Sequence, residues 1–266
     1  RHAQHLAFDE TVDGRGIVFR YDESWLSNPE AQALSVSLPL TDRPYGEAQA
    51  LPFFSGLLPD GQQRKKIADW LHVSVNSDIR LLAALGGECA GTVSLESPDD
   101  EAASEGTITL LTPEEMKALV ARSDLAPLLS PSKGIRLSLA GAQEKIPLYF
   151  RDGLWYRTAG DWPTSHILKP ASLSIPDLPV NEYACIGLAR ELGLPTVKAQ
   201  LLDAGRPVLA VERYDRRRLP TGQLIRLAQE DSCQALGIMP DRKYQTDGGP
   251  GFRDLAGLIR AHSARP

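Results

Sequence analysis

The spacing of apolar residues changes twice in the first hundred positions. Alternating apolar and polar residues predict two strands joined by an Asp13-Gly14 turn, and a third strand after them, at 5–8, 17–21 and 34–38. The spacing then becomes helical and predicts three short helices at 51–61, 62–73 and 77–87. Residues 90–95 return to a strand pattern. The first part of the chain is therefore predicted to be a small α+β domain.

A short loop between two strands marks the middle of the chain. Apolar residues alternate at 135–139 and again at 146–150, and a third strand carries Lys169. Backbone N–H groups in such a loop can approach an anion closely, and a neighbouring lysine can reach the same anion. The loop has one glycine, so neither common nucleotide-binding glycine pattern is present. An ordinary hairpin with a solvated tip remains the alternative.

The segment after Lys169 predicts a helix at 179–192. Apolar residues at helical spacing predict a buried stripe on it, formed by Cys185, Leu188, Ala189 and Leu192. Glu182 falls on the same side, and an inward carboxylate needs a cation, for which Lys169 is available. Alternatively, Glu182 is a partly solvated acid in the first turn, where the helix dipole favours it.

Two further strands, at 197–202 and 207–211, precede a charged segment and two helices at 229–236 and 252–262. The second strand is continuously apolar, which is typical of a sheet centre. We divide the chain into residues 1–98, 107–218 and 219–266. The acidic stretch 98–106 is the boundary between the first two, or else a surface loop within one domain.

Composition argues against several classes of protein and of site. The chain has 266 residues, 42% of them hydrophobic, and a net charge of −5, which argues against a surface that binds nucleic acid throughout. Cys89, Cys185 and Cys233 are far apart, and the histidines are scattered, so neither disulfides nor a metal site is predicted. The sequence has no signal peptide and no apolar run of membrane-spanning length, so we expect a cytoplasmic protein without membrane contact.

Eight stretches together resemble the HipA family, the serine/threonine kinase toxins of bacterial HipBA toxin–antitoxin modules. They are FFSGLLPDG at 53–61, SLAGAQEK at 138–145, PTSHILKP at 163–170, NEY at 181–183, LARELGL at 188–194, AVERYDRR at 210–217, QEDSCQALG at 229–237 and KYQTDGGPG at 243–251. The resemblance implies an α+β fold in which a small N-terminal subdomain precedes a protein-kinase-like small lobe. The start of a helical lobe would follow.

The resemblance also implies roles for individual residues. Ser138 matches the autophosphorylated serine of the family, and added negative charge there would repel a nucleotide. Lys169 matches the nucleotide-contacting lysine, which would pair with Glu182, and Asp215 and Gln229 are candidates for ribose or phosphate contacts. The loop over the ATP phosphates and the adenine-binding hinge would be formed by Ala140, Gly141, Ala142, Gln143, Glu144 and Lys145, and by Glu212, Arg213 and Tyr214.

What the resemblance implies about activity is a self-inactivating protein kinase that uses ATP and Mg²⁺. Its partners would be a HipB-type DNA-binding antitoxin, with DNA bound only through it, and a translation factor such as glutamyl-tRNA synthetase as substrate. Growth arrest and drug tolerance would follow. The asparagine–aspartate–histidine motif of the family does not occur before Pro266. We therefore expect the catalytic and magnesium-binding carboxylates beyond that residue, and no transfer by this chain alone.

Two other functions fit the same pattern. A non-catalytic module could keep the fold, and perhaps ATP, while it regulates a partner. A small-molecule kinase with the same lobe would phosphorylate a metabolite and no protein. A longer reading frame containing the missing aspartates would argue against the module.

Overall fold

The computed structural model describes residues 6–9, 16–95, 106–122, 143–172 and 174–263. It divides into two compact units that are discontinuous in sequence. The first unit contains Arg1–Leu58, Asn76–Leu82 and Ala228–Pro266, and the second contains Pro59–Val75 and Ala83–Leu227. This division follows contacts rather than chain order. The three consecutive domains stay a prediction.

Within the described residues the chain forms eight α-helices and ten strands. The helices are α1 (Glu23–Leu26), α2 (Glu47–Ser55), α3 (Gly61–Leu71), α4 (Asp78–Leu85), α5 (Pro113–Arg122), α6 (Leu178–Glu191), α7 (Ser232–Leu236) and α8 (Phe252–His262). The strands are β1 (Leu6–Asp9), β2 (Gly16–Phe19), β3 (Thr107–Leu110), β4 (Ile146–Arg151), β5 (Leu154–Ala159), β6 (His166–Pro170), β7 (Ala199–Asp203), β8 (Pro207–Glu212), β9 (Arg216–Arg218) and β10 (Leu224–Arg226).

The first unit combines the N-terminal hairpin with helices from both ends of the chain. β1 and β2 pair antiparallel, as predicted, and the predicted Asp13-Gly14 turn lies outside the described residues. Large apolar side chains are fully buried here, among them Phe19, Tyr21, Leu38, Phe53 and Phe54. In α7 the Gln234 side chain donates to the Phe53 carbonyl at 2.9 Å, which ties α7 to α2.

Two predicted strands of the N-terminal region are wrong. Residues 34–38 form a loop with a single bridge between Ser35 and Leu38. The Tyr21 hydroxyl holds this loop, because it donates to the Leu38 carbonyl and accepts from the Leu34 N–H. Residues 90–95 turn back on α4 instead of joining a sheet, and Leu95 N–H donates to the Gly86 carbonyl.

The second unit is built on a six-stranded antiparallel sheet in the order β3-β5-β4-β6-β8-β7. One face of the sheet carries the apolar core together with α5, which contributes Met116, Leu119 and Val120. The sheet contributes Ile146, Leu148, Leu168, Val208 and Ala210. These positions alternate along their strands, as a half-buried sheet requires. Thr112 and Glu115 cap the start of α5, because they form a reciprocal pair of side-chain-to-backbone hydrogen bonds.

Helix α6 packs against β8 and β7, and the face that it packs differs from the predicted one. The predicted buried stripe is wrong at three of its four positions, because Cys185 is exposed and Leu188 and Leu192 are 62% and 70% exposed, whereas Ala189 is half-buried. The less exposed positions include Glu182, Ile186 and Ala189, which share one face at helical spacing. Apolar residues occur on more than one side of this helix, so periodicity alone did not identify the packed side. Glu182 faces inward, as expected.

In the described part of the chain, no helix is both long enough and apolar enough to cross a bilayer.

The three cysteines should react with a thiol reagent at very different rates. Cys185 is exposed, whereas Cys89 and Cys233 are buried, and burial raises the pKa of the Cys89 thiol to about 12 and that of Cys233 above its ordinary value. Because the thiolate is the reacting species, we expect one fast thiol in the native chain and all three only after unfolding. Labelling kinetics with Ellman's reagent would measure this. The Cys185→Ser variant should lose the fast phase, and a fast phase that persists would contradict the orientation of α6.

Candidate functional site

Lys169 lies on β6 and faces the side of the sheet opposite the apolar core. Its neighbour Leu168 is buried in that core, and successive strand residues face opposite sides. Lys169 Nζ lies 2.5 Å from Glu182 Oε1 on α6, and both side chains retain limited solvent access. The structure therefore brings together the two residues that the sequence proposed as partners. The ion pair holds the ammonium group in one position on the sheet surface.

The end of the predicted phosphate loop lies next to this lysine. Ile146 pairs with Leu168, so the residues that precede Ile146 reach the sheet near Lys169. The Gln143 amide nitrogen is buried and has no hydrogen-bond partner within the described residues. An unpaired buried donor is costly, and an anionic ligand would satisfy it. Ser138, Ala140, Gly141 and Ala142 lie outside the described residues, while Gln143, Glu144 and Lys145 lie within them.

The predicted hinge follows β8 directly. The Glu212 N–H donates to the Lys198 carbonyl and the Arg213 N–H donates to the Ser165 carbonyl, both at 2.9 Å. These two donors are therefore occupied within the unit, and a bound base would use other backbone groups of the segment. Tyr214 is 71% exposed, whereas Arg213 and Asp215 on either side of it are buried.

The buried side chains of the hinge enter a cluster of four charges in the second unit. Arg213 and Arg216 each contact both Glu88 and Asp215, at distances from 2.7 to 3.2 Å. The guanidinium groups are almost completely inaccessible to solvent, and the two carboxylates are nearly so. Thr164 also donates to Glu88, from its hydroxyl at 2.6 Å and its N–H at 3.1 Å. Two cations and two anions thus compensate one another inside the protein.

Backbone groups complete the hydrogen bonding of the cluster. The Gly91 N–H donates to Asp215 at 2.7 Å, while Arg213 donates to the Cys89 carbonyl and Arg216 to the Gly91 carbonyl. Removing one partner of such a buried ion pair typically costs about 3–5 kcal/mol, because the remaining charge is left uncompensated. The cluster therefore holds the segment 88–91 and the hinge as one structure.

The pKa values in the cluster reflect competition between burial and pairing. Burial raises the pKa of the Asp215 carboxyl, but the hydrogen bond and charge of Arg213 outweigh it, so the pKa lies below its ordinary value. Burial together with the nearby charge of Arg213 lowers the pKa of Arg216 to about 10. Arg213 is also opposed by burial, but its bond to Asp215 and the charge of Glu88 raise its pKa. All three groups are therefore charged at neutral pH.

This geometry bears on two of the candidate nucleotide contacts. Both carboxylate oxygens of Asp215 accept from Arg213, so a ribose contact by this side chain would compete with a buried ion pair. Gln229 belongs to the first unit, whereas Lys169 and the hinge belong to the second. The roles proposed for Asp215 and Gln229 stay predictions.

Sequence reasoning missed Glu88, Thr164 and Arg216 as parts of this site. A signal was present, because the run 212–218 places six charged residues at and directly after the end of a strand of the sheet interior. A charged side chain that is buried in the protein interior needs an opposite charge beside it. Glu88 follows two glycines and precedes Cys89, and it is an acidic residue in an otherwise apolar stretch. It was therefore a candidate counter-charge for a buried arginine.

The structure gives no indication of a metal site in the ranges it describes. There, no group of three or more His, Cys, Asp or Glu side chains is arranged to hold an ion. The magnesium ligands expected from the resemblance stay a prediction.

Comparison with known proteins gives two matches to family models. Residues 4–96 match the HipA N-terminal domain, and residues 137–266 match the HipA-like C-terminal domain. Lys169, Glu182 and the hinge lie in the second match, and Glu88 lies in the first.

Among curated proteins, the chain is 42% identical to one from Sinorhizobium fredii named "Putative kinase Y4mE", over 96% of this chain and 63% of that protein. It is 29% identical to the serine/threonine-protein kinase toxin HipA of Shewanella oneidensis, over 94% of this chain and 56% of that protein. The chain thus spans about three fifths of the length of these relatives.

A solved structure has the same fold. It is the complex of HipA, HipB and operator DNA from the Shewanella oneidensis MR-1 toxin–antitoxin system, and one of its chains matches with a TM-score of 0.74 and 28% identity. The match covers 95% of this chain and 58% of that chain. The kinase-like α+β fold expected from the sequence is therefore confirmed.

The stability of the second unit should fall in mild acid because of His166. Its ring contacts the rings of Phe150 and Trp155, and burial lowers its pKa, as do Arg218 and Lys198, while Glu212 opposes the shift. The unfolded chain therefore takes up a proton that the folded chain resists, and the free energy of unfolding decreases as pH falls below about 6.5. Urea unfolding at about pH 7.5 and about pH 5.5 would measure this difference.

The His166→Gln variant should lose part of this pH dependence. The matched control is His262→Gln, which alters an exposed histidine of α8 and should behave like the wild type. Equal pH dependence in all three proteins would contradict the assignment to His166.

Proposed function

Since the chain belongs to the HipA family, we propose that the full-length protein is an ATP-dependent serine/threonine protein kinase of a toxin–antitoxin module. The observation that carries the proposal is the ion pair between Lys169 on a strand and Glu182 on the adjacent helix. Protein kinases use a strand lysine, held by a helix glutamate, to contact the nucleotide phosphates. In this chain the pair lies beside the loop end and on the strand next to the one that leads into the hinge.

The residues present fit an ATP site. ATP bound with magnesium would supply the phosphoryl group. The ammonium group of Lys169 would neutralise phosphate charge. Glu182 holds that group in position before a ligand binds. Gln143 offers a buried donor that lacks a partner among the described residues, beside the strand that carries Lys169. Backbone groups of the segment from Glu212 to Tyr214 would bind the adenine edge. The N–H groups of Glu212 and Arg213 are already in use, so the other backbone groups would do this.

Regulation and partners follow from the family. We propose that Ser138 is the site of self-inactivating phosphorylation, since it precedes the phosphate loop and a phosphate there would repel the nucleotide. The solved relative is bound to HipB and operator DNA, which supports a HipB-type antitoxin as partner of this protein. We further propose that the substrate is a translation factor of the aminoacyl-tRNA synthetase type and that the protein acts in the cytoplasm.

The Lys169→Ala variant of the full-length protein should lose phosphoryl transfer. Loss of one preorganised charge at the reacting group typically costs about a hundredfold or more in rate. Intact mass spectrometry after incubation with Mg-ATP, followed by peptide mapping, should find one phosphate at Ser138 in the wild type and none in the variant. Growth arrest on expression should be lost as well.

The matched control is Lys117→Ala, which removes an exposed lysine of α5 on the opposite face of the sheet. It should behave like the wild type. If the wild type binds ATP but never gains a phosphate, and phosphorylates no protein in a lysate, the non-catalytic module would replace the kinase. Transfer to a metabolite alone would indicate the small-molecule kinase.

A further inference from the structure

Glu88 is far in sequence from the residues that it contacts. It lies in the N-terminal match at 4–96, whereas Thr164, Arg213 and Arg216 lie in the C-terminal match at 137–266. Its Oε1 atom alone accepts from all three residues, at 2.6 to 3.2 Å. The N-terminal part of the chain thus supplies one of the two anions of the buried cluster.

The contacts of Glu88 join two strand ends beside the hinge. Thr164 stands just before β6, and Arg213 stands just after β8, and these strands pair from His166 with Glu212 onward. Arg216 reinforces the junction, since it donates to the Thr164 carbonyl at 3.2 Å as well as to Glu88. One carboxylate oxygen therefore fixes the point where the sheet becomes the hinge.

Buried side chains anchor the hinge and the residues that follow it. Arg213, Asp215 and Arg216 all enter the buried cluster, and Tyr214 between them is exposed. The path of the backbone here depends on three buried anchors, two of which share Glu88. Without the charge of Glu88, Asp215 would be the one remaining anion of the cluster, and the cluster would carry a net positive charge.

We propose that Glu88 is a positioning residue for nucleotide recognition, which sets the backbone of the hinge through Arg213 and Arg216. This inference rests on the proposed function, because it assumes that the hinge backbone binds the adenine edge. A group that acts through backbone position affects only the ligand part that this backbone contacts. Glu88 should therefore influence recognition of the base and leave recognition of the phosphates unchanged.

The test compares two ligands on the full-length protein, ATP and inorganic tripolyphosphate. Tripolyphosphate has the charges that Lys169 would bind but has no base. In Glu88→Gln, which keeps the shape and removes the charge, the affinity for ATP should fall about tenfold, which is the effect of losing about one hydrogen bond to the base. The affinity for tripolyphosphate should stay unchanged. Isothermal titration calorimetry would give both dissociation constants.

Two further variants separate positioning from general destabilisation. Glu88→Asp keeps the charge and should retain more of the preference for ATP than Glu88→Gln. Glu114→Gln, at an exposed position of α5, should leave both affinities unchanged. A merely structural role would weaken the two ligands in parallel. If Glu88→Gln does not fold, the test uses Glu88→Asp and measures hydrogen exchange of the backbone amides at 212–216. Exchange as slow as in the wild type would contradict the inference.

The outcomes distinguish this inference from the function on which it rests. A wild type that binds neither ligand would overturn both. If the wild type prefers ATP and Glu88→Gln keeps the same ratio of affinities, the positioning role fails and the nucleotide site stands. Equal affinity of the wild type for ATP and tripolyphosphate would show that the hinge does not bind adenine, which overturns the role of Glu88.

Discussion

The second unit depends on the rule that charge buried in a protein must be compensated. Its most apolar strand, β8, ends in a segment whose charged side chains at Arg213, Asp215 and Arg216 enter the interior. They can do so because Glu88 completes a neutral set of two cations and two anions. A hydrophobic contact could hold these elements together as well, but it would not fix their geometry as tightly. Guanidinium and carboxylate groups bond in few orientations, so the cluster specifies how segment 88–91, β6 and the hinge meet.

One face of the sheet in the second unit packs in the apolar core, and the other face carries the candidate site. Its core face packs apolar strand residues against α5. The opposite face carries Lys169, which α6 pairs with Glu182. Because successive strand residues point to opposite sides, Leu168 can support the core while its neighbour Lys169 serves the site. The lysine is thus held on a strand and by a helix, which fixes the position of its charge.

Helix α6 illustrates how tertiary structure selects among the faces of an element. Its sequence offers an apolar stripe through Cys185, Leu188 and Leu192, and that stripe is exposed in this chain. The side that faces the sheet contains the carboxylate of Glu182, which pairs with Lys169. The curated relatives are longer than this chain, which spans about three fifths of their length.

Local sequence patterns determined the elements and most of their order. Alternation identified β2 and β4, a continuous apolar run identified β8, and helical spacing identified α3 and α6. Eight stretches, among them those around Lys169 and the hinge, indicated the resemblance to the HipA family. The strands expected at 34–38 and 90–95 failed, since short alternating stretches without a strand partner do not form a sheet. Only the tertiary structure decided which face of α6 is packed and which acid neutralises Arg213 and Arg216. Glu88 stands more than a hundred residues before them, and local spacing contains no information about contacts at that separation.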